Sequence, residues 1–154
     1  MGIKPEFGSG VILAKVEAFQ RNLDKAVLFM LKHLGEDLAK YAKEQHNYTD
    51  QTGNLTNSIG YAVVRNKEIV YYGGTNQPGV GADAALETAM KYAQDMQDTY
   101  SLIIVAGMNY AAYVEAKGYN VILPAELKAK KDFPAAMNRL MEKAKSKANE
   151  LFGI

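Results

Sequence analysis

Nine apolar positions, Ile12, Val16, Phe19, Leu23, Val27, Met30, Leu34, Leu38 and Tyr41, recur at spacings of three or four, the 3.6-residue repeat of a single helix face. A helix over that stretch extends roughly 44 Å, whereas a compact domain of 154 residues is only about 40 Å across. The helix must therefore bend or overhang. Gly35 is the cheapest place to bend. An overhanging apolar stripe has to be covered, either by a partner subunit or by the C-terminal helix.

A chain this long can bury one core without disulfides or metal, so a single domain spanning 1–154 is expected, with residues 1–10 flexible. The sequence has no cysteine, which removes disulfides, thiol nucleophiles and cysteine-based zinc motifs and fits a reducing compartment. Its formal net charge is +1, so no global field draws it to nucleic acid or to an anionic membrane. Met1 to Gly10 lacks the apolar core of a secretory signal, and no later run is long and apolar enough to span a bilayer. Without a signal, the sequons at Asn47 and Asn54 read as coincidence.

Polar residues from His46 to Asn54 end the first helix. Ile59, Tyr61 and Val63 then alternate with Ala62 and Val64, and Ile69 to Tyr72 is a second β-rich run, so Arg65-Asn66-Lys67-Glu68 reads as a hairpin turn. Gly73 to Gly81 is glycine-rich and reads as a mobile loop. A second helix from about Ala82 is expected to bury Leu86, Ala89, Met90, Ala93 and Met96 or Gln97. Leu102 to Ala106 is apolar enough for a central strand. Tyr110 to Ala116 reads as a short helix, and Tyr119 to Leu123 as a fourth strand or extended segment ended by Pro124. A terminal helix from Phe133 or Pro134 to Leu151 carries the stripe Phe133, Met137, Leu140, Met141, Ala144, Ala148 and Leu151. These elements predict an α+β fold: long N- and C-terminal helices packed on a small, mainly antiparallel sheet of about four strands.

Residues with chemical potential are few. Gly79-Val80-Gly81-Ala82-Asp83-Ala84 matches G-x-G-x-x-A, and a small nucleotide-binding protein or enzyme built on the Gly73 to Gly81 loop is the alternative reading. Against it, Asn76-Gln77-Pro78 separates the glycines from the preceding strand, and no acidic ribose partner ends the next one. His33 and His46 are too far apart to share a metal as neighbours on one helix face; His33 reads as a boundary residue and His46 as a cationic helix end. Glu115, between Val114 and Ala116, is the one carboxylate in an apolar setting. It could serve general acid-base chemistry, but accepting backbone N–H groups in the Lys117-Gly118 turn is the better account. The lysine excess from Lys128 to Lys147 could touch phosphates, though it also suits the solvated face of a helix. Tyr61, Tyr71, Tyr72, Tyr110 and Tyr113 are candidates for a wet assembly surface. No enzyme activity, cofactor or metal is expected.

Two segments carry a family resemblance. Thr52-Gly53-Asn54-Leu55-Thr56-Asn57-Ser58-Ile59 resembles the Thr-Gly-x-Leu-x-x-Ser-Ile signature of small phage head-tail joining and tail-completion proteins. Tyr110-Ala111-Ala112-Tyr113-Val114-Glu115-Ala116-Lys117-Gly118 is similar to the Tyr-Ala-x-x-Val-Glu-x-Gly motif that follows their last main strand. The resemblance covers roughly Leu38 to Gly118. Gly118 falls later after the glutamate than is usual in the family, and the connection from Gly73 to Gln97 is long, as an insertion with a partner-specific loop would be. The resemblance implies Gly53, Asn54, Leu55, Ser58, Tyr110, Tyr113, Glu115 and Gly118 as motif or assembly-interface positions. Gly53 would make a tight turn, Leu55 and Ile59 would anchor the strand, and Ser58 would bond nearby backbone. It further implies a ring-forming homo-oligomer in the virion, made in the host cytoplasm, that meets other head-connector or tail-tube proteins and works by fit without turnover.

Overall fold

The structure, a computed structural model, describes residues 9–45, 56, 58–74, 80–96, 99–107 and 122–153. Helix α1 (Ser9–Glu44) leads into a hairpin of β1 (Ile59–Arg65) and β2 (Glu68–Gly73). Helix α2 (Val80–Ala93), strand β3 (Tyr100–Ala106) and helix α3 (Leu123–Phe152) follow. Among the described residues the sheet has three strands in the order β2-β1-β3, all antiparallel to their neighbours. The α+β class and the flanking terminal helices match expectation; the strand number does not. Of the anticipated fourth strand, 119–121 lie outside the described residues, and Leu123 instead opens α3.

Strand β1 alternates between two cores because successive side chains of a strand point to opposite faces. Ile59, Tyr61 and Val63 pack with Val27, Leu31, Leu34 and Leu38 of α1 and with Ala125 of α3. Ala62 and Val64 pack on the other face with Ala85, Ala89 and Ala93 of α2 and with Val105. The molecule thus has three layers, α1 and α3 on one side of the sheet and α2 on the other. Full burial of Leu31 and Leu38 is worth about 2 kcal/mol each.

The hairpin turn is tight. Asn66 and Lys67 both have positive φ, 52° and 69°, the pair of left-handed residues that a two-residue type I′ turn requires. Asn66 N–H donates to the carbonyl of Thr99 at 3.2 Å, tying the turn to the approach of β3. Further along, Val63 faces Tyr71 while Val64 faces Ile69. Val70 is the extra residue of a bulge in the β2 edge, which leaves it 39% exposed and makes the edge a poorer template for strand addition.

Three expectations are corrected. The most apolar strand, β3, lies at an edge of the described sheet and β1 at its centre, and β3 too is covered on both faces, by Leu102 and Ile104 toward α1 and by Ile103 and Val105 toward α2, so its apolar character reflects two-sided cover and not a central place. The buried face of α2 is Ala85, Ala89 and Ala93, whereas Leu86 and Met90 are 38% and 57% exposed; alanines let the helix axis approach the strands closely. Helix α3 starts ten residues before Phe133, with a proline in its first turn and Pro134 inside it. Its anticipated contacts Phe133 and Met141 are exposed. The helix ends on Gly153, left-handed at φ 67°, whose N–H donates to the Asn149 carbonyl at 2.9 Å, a glycine stop.

The α1 stripe is covered by the sheet and by α3, which runs antiparallel to α1, while Ile12 at its start stays exposed. Phe19 meets Phe152 edge-on at 5.8 Å near one end of the pair, and Lys128 lies over the Tyr41 ring near the other. Gly35 sits within an uninterrupted α1. A Cβ there would fall 2.3 Å from Cδ2 of Tyr61, so the glycine serves close approach of a buried ring.

Candidate assembly interface

Register fixes where the two motif-bearing segments join the fold. Ile59 pairs with Ala106 and Gly60 with Val105, so the start of β1 lies beside the end of β3. The first motif leads into β1 and the second departs from β3, and both therefore attach at the same end of the sheet. Other element ends gather there. Tyr61 pairs with Gly73 at the end of β2, and Gly74 turns away at φ 89°, where a Cβ would lie 3.1 Å from Ala39 and from Gly60 Cα. Lys43, near the end of α1, donates from Nζ to the Gly74 carbonyl, and burial lowers its pKa. Ala125, in the first turn of α3, is fully buried.

Of the motif positions, Ser58 is described: it is fully buried just ahead of β1. Gly53, Asn54, Leu55, Tyr110, Tyr113, Glu115 and Gly118 lie outside the described residues, as do His46 and Gly79. Val80 and Gly81 open α2 and Gly73 closes β2, so the ends of the glycine-rich stretch belong to regular elements.

Beside this end, a tyrosine is built into the core. Tyr61 is fully buried, and its hydroxyl donates to Glu36 Oε1 at 3.1 Å. Burial first, then the negative charge of Glu36, push that hydroxyl far above the ordinary phenol range. The Tyr71 and Tyr61 ring centroids are 5.8 Å apart, with the Lys32 ammonium 4.1 Å above the Tyr71 centroid, a cation–π contact. Tyr61 is thus a core residue where a surface one was expected. Tyr72 faces α2 with a buried hydroxyl that has no partner among the described residues, and burial raises its pKa to about 12. Tyr71 is 36% exposed, while Tyr92, not singled out in the sequence, is 55% exposed.

At the opposite end of the sheet, Asp24 of α1 holds two strands. Arg65 donates from Nη1 to Asp24 Oδ2 at 2.7 Å, and the hydroxyl of its register partner Tyr100 donates to Oδ1. The Tyr100 hydrogen bond, reinforced by Arg65, outweighs burial and holds the Asp24 carboxyl below its ordinary range.

Two further surfaces are open. A groove of about 570 Å³ runs between α1 and α3, floored by Met30, Leu34, Ala136 and Leu140 and rimmed by Arg139 and Lys143; Phe29 stands beside it, 73% exposed. On the far side of the sheet, Leu86 and Met90 flank a shallower cleft between α2 and the hairpin. His33 lies 3.7 Å from Asp37 on the exposed face of α1. Among the described residues no cluster of His, Asp or Glu is arranged to hold a metal, and no helix is long and apolar enough to cross a membrane. On α3, Lys128 pairs with Asp132, Lys130 with Glu126 and Lys147 with Glu150, the pattern of a solvated helix face.

Fold and surfaces together define a three-layer α+β domain whose element ends converge on one edge. No protein-family model, curated protein or solved structure matches the chain.

Proposed function

We propose that this chain is a non-catalytic structural protein of phage or prophage head-tail assembly, acting as a subunit of an oligomeric ring in the neck or tail-completion region of the virion. The observation that supports this reading is the pairing of Ile59 with Ala106. It brings the attachment points of both motif-bearing segments, 53–58 and 110–118, to one end of the sheet, so motifs about 50 residues apart in sequence can serve one surface. The alternative nucleotide-binding reading draws less support. A dinucleotide fingerprint opens off a parallel strand pair, whereas every pairing among the described strands is antiparallel.

Immunogold electron microscopy on particles purified from the induced source organism tests the role. Label at the head-tail junction is expected; intact particles without label would overturn it. Charge reversal at Glu115 should block assembly while leaving the monomer folded.

A further inference from the structure

The two edges of the sheet are built differently. The β2 edge carries the Val70 bulge and begins on the charged pair Lys67 and Glu68, devices that discourage pairing with another strand. The β3 edge has neither. Its residues, Tyr100-Ser101-Leu102-Ile103-Ile104-Val105-Ala106, include no charge, no proline and no glycine. They pair with β1 one for one, from Ala106 to Tyr100, without a register shift. Among the described residues no strand lies beyond β3.

Helix cover on both faces does not close this edge. Leu102 and Ile104 pack toward α1, and Ile103 and Val105 toward α2. Even so, Ser101 to Ile104 stay half-buried and Tyr100 is exposed. Every second residue of such a strand turns its N–H and C=O away from β1, and the partner those groups fit is another extended backbone. The α2 layer marks the same edge. Leu86, Met90 and Gln94 lie beside Lys67, Glu68 and Ile69 of the hairpin, so Tyr92, on the opposite flank of the helix, lies on the β3 side of the sheet. Tyr92 is 55% exposed, a large ring that tolerates a wet contact, placed as at a seam between subunits.

We propose that two copies of this chain pair through β3, antiparallel about a two-fold axis at Ile103, joining their three-stranded sheets into one. The occupant is a second copy because the edge is its own complement. Full overlap of the strand with its antiparallel image sets Tyr100 opposite Ala106, Ser101 opposite Val105 and Leu102 opposite Ile104, with no like charges opposed and every side chain kept on its own face. The two α2 layers then meet on one side of the seam, with Tyr92 of each copy beside it. The contact is isologous and stands apart from the ring-subunit reading.

The chain has no cysteine, so single cysteines read the register. Under mild oxidation Ile103→Cys should give a disulfide-linked dimer, because across the axis its Cα lies within disulfide reach of its own image. Ser101→Cys, roughly 13 Å from its image along the strand, should not. Sedimentation velocity of the full chain should show a reversible wild-type dimer. Tyr92→Glu, at an exposed position that should leave the circular dichroism unchanged, opposes two like charges and should weaken it at least about tenfold. Amide exchange in β3 should slow as the chain is concentrated into the dimer. Wild type that stays monomeric at the highest attainable concentration overturns the proposal, as does equal linkage at both cysteines or none at Ile103→Cys. Outward β3 amides that already exchange slowly in the dilute monomer overturn it too, since the edge would then be covered within one chain. Missing immunogold label with the β3 pairing intact removes the assembly role alone; label at the junction without the pairing removes this contact alone.

Discussion

Replacing Gly35 with alanine sets two effects of opposite sign against each other. In an exposed helix the change stabilises by about 1 kcal/mol, because glycine loses the most backbone freedom on folding. At position 35 the added Cβ would lie 2.3 Å from Cδ2, 2.6 Å from Cγ and 2.7 Å from Cε2 of Tyr61. Those atoms are the root of a fully buried ring, held at its tip by Glu36 and on its flank by Tyr71. The ring cannot swing aside, so α1 and β1 must separate. Overpacking of this kind costs typically 1–3 kcal/mol and sometimes more. With three contacts this short the upper end applies, and the net loss should be about 2 kcal/mol after the helix gain is subtracted. For a domain of this size that corresponds to a fall in Tm of roughly 4–8 °C. Gly10, in the same helix with nothing within 4 Å of its Cβ position, supplies the control: alanine there should be neutral or stabilising. Urea and thermal denaturation of both variants, followed by circular dichroism, read the comparison. If Gly35→Ala stabilises as Gly10→Ala does, the close packing of Gly35 on Tyr61 is refuted.

The clamp at Asp24 should give a pH-dependent signature. Its folded pKa is depressed from 3.8, so its contribution is present above the unfolded value and lost as the pH falls through the folded one. Asp24→Asn should therefore cost about 1 kcal/mol at neutral pH, discounted for partial exposure of the pair, and the gap to wild type should close in acid; a gap constant with pH would remove the charge from the account. Pro134, exposed inside α3, leaves the Lys130 carbonyl without its helical donor. Pro134→Ala should raise stability by about 1–3 kcal/mol in the same denaturation assay, and an unchanged midpoint would mean that α3 gains nothing from a continuous ladder there.

Much of the fold is legible locally. The α1 stripe follows from its spacing, and the alternation of Ile59, Tyr61 and Val63 with Ala62 and Val64 assigns the two faces of β1 correctly. What sequence reasoning missed depends on partners distant in the chain. Ala89 and Ala93 are buried as the periodicity expects, but Leu86 and Met90 are larger than Ala85, so weighting by hydrophobicity turns the expected face of α2 toward them; the closeness of the sheet selects Ala85 instead. The apolar run of β3 suggests a central strand, yet it reflects helix cover on both faces of an edge strand, and which strand takes the centre is set by pairing distant in the chain. Gly35 signals a bend when read alone, and its partner Tyr61 is not marked as such by any local pattern. Of the candidate site, the described residues contain Ser58, and the antiparallel register that joins the motif attachment points is a tertiary fact with no local signature.

Strand β1 belongs to both hydrophobic clusters and to both ladders of the sheet, which has a consequence for how the domain opens and closes. Its pairing with β2 is made across a two-residue turn and costs little loop entropy, while its pairing with β3 must wait for the α2 crossing to close a far longer loop. The hairpin can therefore form early, but it gains a second covered face only when α2 and β3 arrive together. Conversely, neither helix layer can peel away without baring one side of β1 to water. The two clusters are thereby bound into one cooperative unit, and the amide protons of β1 should be the last to exchange with solvent.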